Sequence, residues 1–386
     1  MYCMKKALLT LLIILIFQNI SLAQTGGISF VYVNGANNND EKMTRWFLKG
    51  VEKLHPVLKC RFEKNDEIRA IFLKNGSYKI NPEPTIFFWG DRSKRDLTFV
   101  RENIDIGRAF TLANEIRDMV TSYLHDTIWV QKPHNMFPIL DDLNELIKKE
   151  YEDGNQSVIL GYSAGSFITY EYLFNKLPYI NMDVILNSVE VNDELIDYIK
   201  QNPIKDTCIS ALTKAKIGVV SSDGKLIIDY SVGRFRNNFL KMDEATEQYC
   251  TPPGALKGIV NFATPLVLFY SDLADPAYEL TQYNVYMIKY ILEHELFWIS
   301  VNYREDPFGF PTKRNLSIDE MEEIMNINIE SPKGFIFDNS RVWGKRLFLF
   351  AHTSYWSTRG TFSNAIIKTY INGYKSMYGS EAKTER

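Results

Sequence analysis

The chain has 386 residues, 45% of them hydrophobic and 24% charged, with a formal net charge of −3. That balance excludes a disordered or collagen-like chain and leaves ample material for a large core. A slightly acidic chain offers no electrostatic case for nucleic acid as a partner.

Residues 1–23 read as a secretory signal peptide. Lys5 and Lys6 precede an apolar run from Ala7 to Phe17, and Ser21 and Ala23 supply small residues before a cleavage point at Gln24. The run is short for a bilayer span, so an uncleaved anchor is the lesser alternative. Cys3 precedes the run, where a lipid-attachment cysteine would not stand. No later segment is apolar enough to cross a membrane. Export permits disulfides. Cys208 and Cys250 are candidates to pair, but their spacing with Cys60 matches no zinc pattern, and three buried, inert thiols are the simpler expectation.

Strand-like and helix-like segments then alternate, which predicts a parallel sheet covered on both faces. Ile28 to Val33 reads as a strand, followed by a helix containing Trp46, Phe47 and Val51. Thr85 to Trp89 is a second strand. Ile104 to Tyr123 and Met136 to Tyr151 read as helices, the second capped by Gly154. Ser157 to Leu160 is the next strand. From Leu177 to Leu256 the rhythm breaks, with a hairpin over Lys216 to Tyr230 turning at Asp223-Gly224. This region, 177–256, is read as a cap- or lid-like insertion into a core made of 24–176 and 257–386. The alternation resumes with a strand at Gly258 to Thr264, a helix at Tyr278 to Glu295 and a strand at Phe297 to Asn302. Phe335 to Phe337 and Leu347 to Phe350 look extended, and the segment after Gly360 is helical.

The most informative stretch is Gly161-Tyr162-Ser163-Ala164-Gly165, set between the strand Ser157 to Leu160 and a helix. A serine hydroxyl is a poor nucleophile unless a base and oxyanion donors surround it. A sharp strand-to-helix turn exposes its Oγ and aims the helix N-terminus at the reacting carbonyl. Such a turn leaves little room at the positions two before and two after the serine, where Gly161 and Gly165 stand. The backbone N–H of Ala164 is placed to serve as an oxyanion donor. A structural turn with a spare hydroxyl is the competing reading.

On this motif and its context the chain resembles the α/β-hydrolase superfamily, in its esterase and lipase branch. Val31-Tyr32-Val33-Asn34-Gly35-Ala36 is similar to that family's early strand, with Asn34 in place of the usual histidine. The resemblance implies a three-layer α/β-hydrolase fold: a mostly parallel sheet, helices on both faces and a cap insertion. It also implies Ala36 N–H as the second oxyanion donor, and the order nucleophile, acid, histidine. Of five histidines, His55, His125 and His134 precede Ser163 and fall outside that order. His294 lies in a helical run and reads as a solvated helix-end residue. His352 directly follows the predicted strand Leu347 to Phe350 and is the favoured general base. Asp306, past the strand Phe297 to Asn302, is the favoured acid; Asp272, Asp275, Glu305 and Asp338 remain alternatives.

The resulting expectation is an exported serine hydrolase, periplasmic, envelope-bound or secreted. It would cleave a small-molecule or lipid ester, in transient contact with a membrane or lipid surface, and need no cofactor or metal. The alternative is a non-catalytic envelope or binding protein on the same scaffold, with Asn34 as its hint.

Overall fold

Apolar runs that the sequence spaces far apart become neighbouring strands of one sheet. The computed structural model describes residues 26–36, 41–102, 121, 125–176, 218–220, 226–228, 251–268, 288, 290–311, 322, 329, 332–344 and 349–378. The first part of the chain contributes β1 (Gly26–Val33), α1 (Glu41–Lys64), α2 (Asp66–Ile71), β2 (Tyr78–Ile80), β3 (Thr85–Phe87) and α3 (Lys94–Glu102). Next come α4 (Pro133–Glu152), β4 (Asn155–Tyr162), α5 (Gly165–Lys176) and a separate pair, β5 (Gly218–Val220) and β6 (Leu226–Ile228). The last part holds β7 (Leu256–Phe262), β8 (Phe297–Tyr303), β9 (Phe335–Val342), α6 (Leu349–His352) and α7 (Arg359–Tyr378).

Seven strands form one sheet in the order β2-β1-β4-β7-β8-β9, with β3 also pairing β1. Every pairing in it is parallel. A parallel strand covered on both sides carries apolar residues on both of its faces, which is why these strands read as continuous apolar runs. Phe30, Tyr32, Val158, Leu160, Val260 and Ile299 turn to one face, against Phe47, Val51, Leu54 and Leu58 of α1 and Phe362, Ile366 and Tyr370 of α7. Val31, Val33, Ile159, Ile259 and Trp298 turn to the other, against Ile139, Leu140 and Leu143 of α4 and Phe167 and Ile168 of α5. Each large side chain buried in this way contributes about 1.5–3 kcal/mol. The fold is therefore of the α/β class.

Helix α4 ends as its sequence suggests. Gly154, just past it, takes φ +84°, the left-handed conformation that a chain leaving a helix commonly adopts. Past α5, Thr251 N–H donates to Lys176 O at 2.7 Å, so the chain returns by residue 251 to the point it left at 176. The Thr251 hydroxyl lies 2.5 Å from that of Tyr172 and 2.9 Å from Asn144 Oδ1. The predicted hairpin is present as the antiparallel pair β5 and β6, with Val219 opposite Ile227; its Asp223-Gly224 turn lies outside the described residues. Also outside them lie the predicted signal peptide, Cys208, Cys250, Asp272, Asp275, nearly all of the predicted helix Ile104 to Tyr123 and the first part of the predicted helix Tyr278 to Glu295, whose residues 288 and 290–293 are helical.

Two expectations are corrected. The described part of the predicted strand Leu347 to Phe350 is helical, within α6. Among the described residues the last strand is β9, which ends at Val342. A four-residue apolar run has no periodicity that separates a strand from a helical turn. Cys60 is exposed rather than buried. It lies off the buried face of α1, on which Val51, Leu54, Leu58 and Phe62 recur at helical spacing. Among the described residues no helix is long and apolar enough to cross a membrane.

Candidate active site

The turn after β4 forces Ser163 into left-handed backbone, at φ +52°. A non-glycine residue held there costs roughly 1–2 kcal/mol. The neighbours hold it on both sides: Ser163 N–H donates to Phe262 O at 3.0 Å, and Ser163 O accepts from Ser166 N at 2.9 Å and Ser166 Oγ at 2.6 Å. Helix α5 begins two residues later. The positive end of the helix dipole therefore lies next to the serine.

Both flanking glycines answer to close contacts. A Cβ at Gly165 would lie 2.7 Å from Asn34 O and 2.8 Å from Val33 O. A Cβ at Gly161 would lie 2.7 Å from Asn261 Oδ1 and 2.8 Å from Thr169 Cγ2. At Gly35 an added Cβ would come within 2.9 Å of Ser163 Cβ. The Asn34-Gly35-Ala36 turn after β1 thus passes directly beside the serine, and Ala36 and Ala164 are both buried there.

Two further segments, the end of α6 and the exit of β8, bring the remaining groups to the same place. His352, closing α6, sets Nε2 2.9 Å from Ser163 Oγ. Its Nδ1 lies 3.0 Å and 3.1 Å from the two oxygens of Asp306, three residues past β8. A carboxylate only accepts, so the Nδ1 proton points to Asp306 and the Nε2 lone pair is left for the serine hydroxyl. Asp306 Oδ1 also accepts from Phe308 N at 2.9 Å, and Oδ2 from the Tyr355 hydroxyl at 2.9 Å. Tyr162 donates its hydroxyl to His352 O at 3.1 Å. The Phe308 ring stands edge-on to the imidazole, 5.0 Å between centroids. Ser163, His352 and Asp306 are all buried.

The alternatives among the described residues are engaged elsewhere. Glu305 Oε2 accepts from Gly344 N at 2.7 Å, and Asp338 Oδ1 accepts from Ser340 Oγ at 2.7 Å. His294 is half-buried rather than solvated. It stacks on Tyr290 at 3.9 Å, next to the entry of β8 rather than its exit. His55 is buried between Tyr32 and Asn81. Among the described residues no cluster of three His, Cys, Asp or Glu could hold a metal ion.

One participant carried no sequence signal, and another was visible only as a departure from the expected residue. Tyr355 follows His352 by three residues in no recognisable motif. Asn34 is buried, and its Oδ1 accepts from Trp89 N at 2.9 Å while its own carbonyl accepts from Trp89 Nε1 at 2.6 Å. The residue that departs from the expected histidine therefore fastens the turn after β1 to the segment after β3.

No family model, curated protein or solved structure matches the chain.

Proposed function

We propose that the protein is a serine ester hydrolase of the esterase and lipase type, built as an α/β-hydrolase and exported behind its N-terminal signal peptide. The observation that carries this reading is the continuous relay from Ser163 Oγ through His352, at 2.9 Å, to Asp306, at 3.0 Å. The strand order supports it as well. The serine follows β4, inside the sheet, and the acid follows β8 two places away.

Ser163 Oγ attacks the ester carbonyl as its proton passes to His352 Nε2. Asp306 keeps the imidazole in the required tautomer and balances the charge it acquires. The amides of Ala164 and Ala36 stabilise the oxyanion. Collapse of the tetrahedral adduct breaks the bond to the alcohol, which leaves with the proton from His352. Water, deprotonated by the same nitrogen, then attacks the acyl-enzyme and releases the acid. No cofactor takes part. The substrate is a small-molecule or lipid ester, met at a lipid surface or in solution outside the cytoplasm. The cap- or lid-like insertion read at 177–256 is taken to begin after Lys176 and to end before Thr251, where the chain is bonded back to the core.

Asn34 does not favour the competing reading of a non-catalytic binding protein, because its bonds to Trp89 already account for it. The test is labelling of the mature protein by a fluorophosphonate probe, together with hydrolysis of short- and long-chain p-nitrophenyl esters. Wild type is expected to label and turn over, while Ser163→Ala and His352→Ala do neither. Equal labelling and equal rates in all three would remove the reading. Turnover of thioesters or amides in place of esters would move the substrate class and keep the nucleophile.

A further inference from the structure

Tyr355 is the third partner of Asp306, and a reaction that needs only a nucleophile, a base and an acid does not call for it. Its hydroxyl donates to Asp306 Oδ2 at 2.9 Å and accepts from Tyr303 N at 2.8 Å. Both contacts are directional, and together they fix the oxygen in one place. The ring is fully buried. It lies parallel to Tyr303, at 4.1 Å between centroids and 5° between planes, and edge-on to Phe362 at 5.2 Å. Burial, followed by the charge of Asp306, pushes the Tyr355 phenol well above its ordinary range. The hydroxyl therefore stays protonated and remains a donor.

Resting on the Ser163 reading above, we propose that Tyr355 is a positioning residue that sets both the orientation and the charge of Asp306 as His352 sees it. Asp306 has two oxygens and His352 Nδ1 lies almost equally near both. The amide of Phe308 holds Oδ1 and the phenol of Tyr355 holds Oδ2. The carboxylate plane is thereby locked against the imidazole edge. A donor on Oδ2 also draws charge away from the carboxylate and so weakens its hold on the imidazolium. Among the described residues, the other titratable side chains near this group are Tyr162, bonded to His352 O, Tyr303, stacked on Tyr355, and Glu305, bonded to Gly344 N.

The experiment compares wild type, Tyr355→Phe and Tyr355→3-fluorotyrosine in kcat, KM and the pH profile of kcat/KM on a p-nitrophenyl ester. The phenylalanine keeps the ring stack and removes the donor. The fluorinated ring keeps the shape and makes a stronger donor, so it reports even if the phenylalanine variant does not fold. Tyr355→Phe is expected to lose about ten-fold in kcat, the scale of one hydrogen bond to a charged group, with little change in KM. Its acidic limb moves to higher pH, because the barer carboxylate holds the imidazolium more tightly. Tyr355→3-fluorotyrosine moves that limb the other way. A purely structural tyrosine predicts lost stability with both limbs in place, and that result overturns the proposal. Wild type without Ser163-dependent turnover sinks this inference together with the Ser163 reading. An active wild type with unmoved limbs in the variants sinks this inference alone.

Discussion

Ser163 and Ala263, one residue past the paired ends Tyr162 and Phe262 of β4 and β7, both hold left-handed backbone, at φ +52° and +53°. Two neighbouring strands thus end in the same strained bend, and only one of them carries a hydroxyl. At Ser163 the strain is separable from the chemistry. Ser163→Ala and Ser163→Gly both remove the nucleophile, but only glycine relaxes the bend. Relief of roughly 1–2 kcal/mol is offset by roughly 0.5–1 kcal/mol of chain entropy and by about 0.8 kcal/mol for the buried methyl that alanine keeps and glycine lacks. Ser163→Gly and Ser163→Ala should therefore lie within about 1 kcal/mol of each other, read from urea midpoints. A glycine variant less stable than the alanine variant by about 1.5 kcal/mol or more, the entropy and methyl costs without the relief, would show that the bend is not strained. The same balance holds at the buried Ala263, so Ala263→Gly should be near neutral.

Gly165 separates contact from conformation. Its added Cβ would meet two backbone oxygens, Val33 O at the end of β1 at 2.8 Å and Asn34 O in the turn after it at 2.7 Å, and neither belongs to a side chain that can swing aside. Gly165→Ala should cost about 1–3 kcal/mol of stability through overpacking. It should also abolish most ester turnover, because the β1 turn beside Ser163 has to move. Gly254 is the control. Nothing lies within 4 Å of a Cβ there, but φ is +82°. Gly254→Ala should lose about 1–2 kcal/mol from backbone strain alone and keep its kcat. Similar kcat values in the two alanine variants would contradict the proposed packing at Gly165.

What was legible in the sequence divides along physical lines. Strands β1, β4, β7 and β8 lie inside the sheet, and burial on both faces wrote each as an apolar run. Strand β9 lies at the edge of the sheet, where Asp338 to Arg341 are polar, so only Phe335 to Phe337 showed. The Leu347 to Phe350 run imitated the missing strand because helix α6 buries Ala351 but leaves Phe350 exposed, within too few residues to display a period. Ser163 was visible because its strained bend demands two small neighbours. His352 and Asp306 were reachable from their order in the chain. Tyr355 and the Asn34–Trp89 bonds were not, because a hydrogen bond between distant segments leaves no spacing to read.

Lys257 is a buried cation at the entry of β7, away from the carboxyl ends that carry Ser163. Its ammonium lies over Tyr78 at 4.9 Å and Phe72 at 5.3 Å. Burial, followed by the like charge of Lys74, pushes its pKa from 10.5 down to about 8, against the opposing pull of Glu295. The folded value lies below the unfolded one, so the penalty is complete below about pH 8, fades toward pH 10.5 and is absent above that. The shift corresponds to about 3 kcal/mol at neutral pH, of which the two rings return about 1–2 kcal/mol. Lys257→Met should therefore be more stable than wild type by about 1–2 kcal/mol at pH 7, with the gap closing by pH 10. Urea titrations at the two pH values measure it, and a methionine variant less stable at pH 7 would contradict the sign.

His55 gives the protein an acid sensitivity independent of the Ser163 site. The ring is buried in the α1 face of the core. Nε2 lies 3.0 Å from Asn81 O, which only accepts, so the proton sits there; Nδ1, 3.2 Å from the Tyr32 hydroxyl, accepts from it. A second ring proton would meet that donor head-on. Burial lowers the His55 pKa, outweighing the bonds that would raise it. Folded below unfolded means that the unfolded chain binds the proton first as pH falls from about 6.5, and stability drops from there downward. In His55→Gln the side-chain amide keeps a donor for Asn81 O and an acceptor for Tyr32 and does not titrate. Urea midpoints measured between pH 7 and pH 5 should fall more steeply for wild type than for His55→Gln. Parallel slopes would mean that the imidazole takes up its proton without unfolding the core.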